Sequence, residues 1–188
     1  MSKKQIILEA AAILFREKGY AATSMRDLAE TVQLKASSLY NHISGKEEIL
    51  LAICFENANR FLDAMEEVES QEIKATEKIK KLLSLHIRMA MKEVTSITAF
   101  NDEWRHLSEP HLSQFKQIRK AYENRFLSII KAGIKNGEIV KTNPTILLHT
   151  IFSASRWLYD WYKPDGKLKP SEIEADIISL LMKGFSTK

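Results

Sequence analysis

An apolar repeat of about 3.6 residues runs through nearly all of this chain, and that periodicity constrains the fold more than any other feature. Residues 3–18 place Ile6, Ile7, Ala10, Ala11, Leu14 and Phe15 on one stripe, with Lys3, Lys4, Glu9, Arg16 and Glu17 mostly elsewhere. No segment alternates apolar and polar residues convincingly, as a half-buried strand would. Six Gly and four Pro in 188 residues are too few for a turn-rich β fold. The chain is therefore predicted to be all-α.

Local signals divide the pattern into elements. Gly19 stands where a left-handed C-terminal cap is wanted. Ser24-Met25-Arg26-Asp27 reads as a capping box opening a short helix to about Thr31. A third short helix spans about 36–42, and Ser44 caps a long one over 46–68. Longer helices follow over 72–93, 95–107, 110–136, 144–162 and 170–185, punctuated by Pro110, Asn136-Gly137, Asn143-Pro144 and Pro164-Asp165-Gly166. The change from short to long helices predicts an N-terminal domain over 1–46 and a second domain over 47–188.

Bulk properties narrow the classes. The longest stretch without a charged side chain, Thr142 to Ser155, is too short to span a bilayer. Cys54 is the single cysteine, so no internal disulfide is possible and a reducing cytoplasm fits. A net charge of +4 permits a nucleic-acid partner without demanding one.

Residues 24–42 have the build of a helix-turn-helix. Leu28, Ala29, Val32, Leu34 and Leu39 allow two short helices to cross around a tight turn at Val32-Gln33-Leu34. Lys35, Ala36, Ser37 and Ser38 open the second helix with groups that fit a major groove. Tyr40, His42 and Lys46 offer donors to phosphate, beside the amides that start the fourth helix. A plain three-helix bundle would share this composition, because the segment is only mildly basic.

Two stretches go further. Gly19-Tyr20-Ala21-Ala22-Thr23-Ser24-Met25-Arg26-Asp27-Leu28-Ala29 and Leu39-Tyr40-Asn41-His42-Ile43-Ser44-Gly45-Lys46-Glu47 resemble the two signatures of the TetR family. The close likeness covers about residues 6–52. It implies DNA-facing roles for Thr23, Ser24, Arg26, Lys35, Ser37, Tyr40, His42 and Lys46. It also implies a homodimeric repressor whose last two helices form a four-helix bundle with the partner. Gln33 stands where the family usually has Gly, Ile43 replaces a common Phe, and Lys35-Ala36-Ser37 departs from the usual start of the recognition helix.

In the C-terminal half, residues 144–162 and the last helix carry apolar groups on more than one face. Such helices need a second cover, and a two-fold contact through 144–185 would supply it. Trp104, Arg105, Tyr122, Arg125, Phe126, Arg156, Trp157 and Trp161 offer the aromatic walls and guanidinium groups of an effector cavity, or else ordinary core and dimer residues. Glu103-Trp104-Arg105, Arg119 to Phe126, Gly133-Ile134-x-x-Gly137 and the Trp157-to-Gly166 segment resemble TetR members that respond to acyl-CoA thioesters. That resemblance implies an acyl-CoA-like effector whose binding tilts the fourth helix and releases operator DNA.

Enzymatic signatures do not emerge. The chain has no Gly-rich phosphate loop, Gly-x-Ser-x-Gly elbow or His-Glu-x-x-His motif. His106 and His111 with Asp102, Glu103 and Glu109 match no metal spacing and read as polar residues at a helix junction. No metal, cofactor or catalytic activity is expected.

Overall fold

A computed structural model describes residues 2–187. The described chain is helical: α1 (Lys3–Lys18), α2 (Met25–Thr31), α3 (Ala36–Tyr40), α4 (Lys46–Glu69), α5 (Ala75–Lys92), α6 (Val94–Asp102), α7 (His111–Lys135), α8 (Pro144–Arg156), α9 (Leu158–Trp161) and α10 (Pro170–Phe185), with a 3-10 turn at Trp104–His106. The helix starts follow the local chemistry. Ser2 caps α1 by accepting from the Gln5 amide, and Asn143 caps α8 by accepting from Thr145 and Ile146, with Pro144 as the first helical residue. The predicted box of α2 is formed: Ser24 Oγ accepts from the Asp27 amide, and the Asp27 carboxylate accepts from the Ser24 amide at 2.8 Å. Gly19 ends α1 at φ 82° and Gly137 follows α7 at φ 73°, conformations that favour glycine.

Two expected helices are interrupted. The one read over 95–107 stops at Asp102 and tightens into the 3-10 turn, where His106 donates to Glu103 and Leu107 to Trp104. The one read over 144–162 loosens at Trp157, whose amide reaches Ser153 at only 3.4 Å. Just before the break, the Ser155 hydroxyl donates back to the Ile151 and Phe152 carbonyls, a bond that competes with the helix ladder. Ser44 also differs from the expected cap: its amide and hydroxyl both donate to Glu48, each at 2.8 Å. A single antiparallel bridge joins Ile139 to Ser186.

The described residues pack as two compact units, 2–59 with 93–118, and 60–92 with 119–187. This line differs from a cut at 46/47 because α6 packs along α1, which gathers 93–118 with the N-terminal helices. The first unit buries Ile7, Ala11, Phe15, Leu28, Leu39, Ile43 and Phe115 in one core. The second buries Ile79, Leu82, Ile87, Phe126, Ile130, Ile151 and Leu158. No helix among the described residues is long and apolar enough to cross a membrane.

Candidate DNA-reading and effector sites

The turn joining α2 to α3 is closed by main-chain bonds: Val32 donates to Leu28, Gln33 to Glu30 and Leu34 to Ala29. Gln33 takes φ 54°, the left-handed conformation that glycine would adopt without strain. Here Gln33 takes that conformation at the position where the resemblance leads one to expect glycine. Leu39 anchors α3 from below with 0% exposure. Ala36, Ser37 and Tyr40, spaced three and four apart, share a helix face and are all exposed, Tyr40 at 54%.

Of the other residues expected to face DNA, Lys35 and His42 are exposed and Ser38 is half-buried. Arg26 is exposed and pairs with Glu30 at 3.1 Å, while Ser24 is engaged in the box with Asp27. Thr23 stands apart. It is 3% exposed, and its hydroxyl donates to the Gly19 carbonyl at 2.9 Å and the Leu14 carbonyl at 3.4 Å. Lys46 is also turned inward: its ammonium donates to the carbonyls of Tyr20 (2.7 Å), Thr23 (2.9 Å) and Ala21 (3.3 Å) and lies 4.3 Å from the centre of the Tyr20 ring. In this geometry both side chains hold the connection between α1 and α2.

Sequence reasoning did not foresee how the rest of this unit grips that connection. Tyr20 stacks on His106 with ring centres 5.1 Å apart, and the Ser108 amide donates to Glu47 at 2.8 Å. That amide holds the Glu47 carboxyl below its usual range. His106 also pairs with Glu103, and His111 lies edge-on to Phe55. Among the described residues no three His, Cys, Asp or Glu side chains gather as a metal site.

The expected effector residues fall into separate groups. Trp104 belongs to the first unit, tilted on Phe115 at 5.9 Å, with the exposed Arg105 over its ring. In the second unit Tyr122 and Phe126 come together with Phe61, Phe152 and His86, three side chains the sequence reading did not select. Their helical spacing is that of ordinary core; His86, a polar residue on the apolar stripe of α5, is the available signal. Arg125 is bound by Glu69, with Nε to carboxylate at 2.9 Å. Trp157 and Trp161 pack on each other at 5.0 Å on the exposed surface, and Arg156 donates to the Tyr159 hydroxyl at 3.2 Å. An open groove of about 630 Å³ along α5 and α10 includes none of the expected residues; its Arg88 and Glu174 are paired with each other at 2.8 Å.

Comparison with known proteins places these features. Residues 7–53 match the sequence profile of bacterial regulatory proteins of the tetR family, and residues 72–185 match that of the tetracyclin repressor-like C-terminal domain. The chain is 23% identical to the HTH-type transcriptional repressor KstR2 of Mycobacterium tuberculosis, over 98% of this chain and 94% of that protein. The structure of that regulator superposes with a TM-score of 0.93 at 21% identity, covering 100% of this chain and 96% of the other. The fatty acid metabolism regulator protein of Bacillus subtilis is 24% identical over 97% of this chain and 95% of its own length. The structure of AibR in complex with isovaleryl coenzyme A and operator DNA shares the fold at TM-score 0.83 and 23% identity, over 96% of this chain and 98% of that one.

Proposed function

The chain belongs to the TetR family of bacterial regulatory proteins, and from this we propose that it represses transcription by holding operator DNA as a homodimer until a small effector releases it. The observation that carries the reading is α3: a short helix anchored by Leu39, held by a left-handed turn, and presenting Ala36, Ser37 and Tyr40 outward. Lys35, Arg26 and His42 add exposed donors beside it. Residues 1–46 take the DNA-reading role and 47–188 the effector and dimer roles. The protein acts in the cytoplasm and is not an enzyme.

Several apolar side chains of the second unit favour the dimer. Ile146 is 65% and Leu180 74% exposed, and Trp157, Trp161 and Leu168 are exposed too. These residues lie within 144–185, the span proposed to pack against a second copy. The effector is an acyl-CoA thioester. AibR, which shares this fold, binds isovaleryl coenzyme A, and the Bacillus subtilis relative is named for fatty acid metabolism. The effector must bind the DNA-incompetent state more tightly, because equal affinity would shift nothing. The shift consists of a tilt of α4 that changes the separation of the two recognition helices.

Selection from a pool of randomised duplexes tests the DNA reading. Enrichment of a two-fold symmetric site, with half-sites about one helical turn apart, is the expected result. A folded dimer that enriches no sequence would instead point to a helical interaction protein.

A further inference from the structure

The aromatic cage of the second unit contains a polar pair that DNA reading and dimerisation leave unused. His86 Nε2 on α5 and the Tyr122 hydroxyl on α7 lie 2.9 Å apart in a hydrogen bond. Phe61 stacks on the imidazole at 4.5 Å, and Phe152 lies 5.5 Å from His86 and 5.3 Å from Phe126. The side chains come from α4, α5, α7 and α8, so the cage exists only once those helices have packed.

The pair is uncharged at neutral pH. Burial lowers the imidazole to about 4 and pushes the Tyr122 phenol up. A neutral imidazole carries one N–H and a phenol one O–H. Their mutual bond uses one of these protons, so either tautomer leaves the other as a spare donor. Among the described residues His86 makes no hydrogen bond except the one to Tyr122. Yet His86 as a residue is only half-buried, while its imidazole is desolvated enough to lose its charge. Polar capacity left over at a half-buried group desolvated in this way asks for a partner.

We propose that His86 and Tyr122 are the recognition point of the effector cavity, donating to an uncharged oxygen on an otherwise apolar body that packs among Phe61, Phe126 and Phe152. This rests on the ligand-responsive reading above and makes its effector class narrower. The oxygen is a thioester carbonyl or a keto group further along the chain. A free carboxylate is selected against: Arg125, whose charge reaches Tyr122, is already paired with Glu69. Held by Glu69, Arg125 does not serve as counter-charge to an ionised group entering beside the neutral pair.

Calorimetry on the full chain, native and as Tyr122→Phe and His86→Phe, tests this with octanoyl-CoA, its β-keto derivative, octanoate and methyl octyl ketone. Tyr122→Phe keeps the ring, so the test does not depend on the histidine variant folding. The expected result is binding of both CoA esters and the ketone, with octanoate weaker by about tenfold or more. Each variant weakens by about tenfold the ligands whose uncharged oxygen the pair holds. A loss for both esters places the contact at the thioester, and a loss confined to the β-keto ester places it on the chain. Unchanged affinity for every probe in both variants, or octanoate binding as tightly as its ester, overturns the proposal. Esters bound equally by native protein and variants would sink the pair and keep the acyl-CoA reading. Tyr122-dependent binding of the ketone without either ester would do the reverse. Absence of binding by all probes overturns both.

Discussion

Three carbonyls and an aromatic face surround the Lys46 ammonium, and the three N–H groups it carries have acceptors inside the fold. A phosphate contact and a positioning role then make different predictions. Each phosphate neutralised contributes roughly one to the slope of log affinity against log salt. Lys46→Ala is expected to weaken operator binding with that slope unchanged, whereas Lys35→Ala lowers it by about one; fluorescence anisotropy over a salt series reads both. A slope lost with Lys46 would return that side chain to the DNA. Gln33 allows a second test at this scale. A left-handed non-glycine residue costs about 1–2 kcal/mol, partly offset by the flexibility glycine adds to the unfolded chain. Gln33→Gly should therefore stabilise by about 0.5–1 kcal/mol in denaturant unfolding. At this scale the exposed polar residues on and beside α3 were legible in the sequence, but the direction of a long side chain was not. The inward turn of Lys46 depends on carbonyls more than twenty positions away.

The start of α4 shows what an element adds. The Ser44 amide, the Lys4 ammonium and the Ser44 hydroxyl lower Glu48 from the ordinary 4.5 to about 2. The folded state then binds fewer protons than the unfolded chain across that window. Its contribution to stability is complete above pH 4.5 and is lost as the pH falls to about 2. Melting temperatures between these limits should fall less steeply in Glu48→Gln than in the native protein. In α7, a Cβ at Gly133 would come within 2.6 Å of Ile139 Cδ1 and 2.9 Å of Ala75 Cβ. Gly133→Ala is expected to cost about 1–3 kcal/mol, again by denaturant unfolding. Helix identities were readable because caps and prolines are local signals. The break at Trp157 was not, since no proline, glycine or capping residue marks it in the sequence. The cage around His86 was hidden for a related reason: residues 61, 86, 122 and 152 show no common spacing and meet only through packing.

For the whole molecule, reading DNA requires two copies. Among the described residues Leu180 is a large apolar side chain left 74% exposed, within the span proposed to dimerise. In a two-fold contact a single substitution acts twice. Leu180→Glu should weaken the dimer on the order of a hundredfold by sedimentation, with operator affinity falling alongside. A variant that stays dimeric would move the interface elsewhere. The need for a second cover on the last helices was legible in their two-sided apolar pattern; the packing of 93–118 with the N-terminal helices was not, because α1 and α6 are far apart in sequence. The central claim, that this fold grips a specific duplex and lets go on binding an acyl-CoA, is tested most directly by a gel-shift titration on the DNA upstream of the protein's own gene. Excess nonspecific competitor is present, with and without octanoyl-CoA. The account predicts a discrete complex that survives competitor, weakens steeply with salt and dissociates as the thioester is added. A folded dimer that forms no competitor-resistant complex on that DNA would contradict it.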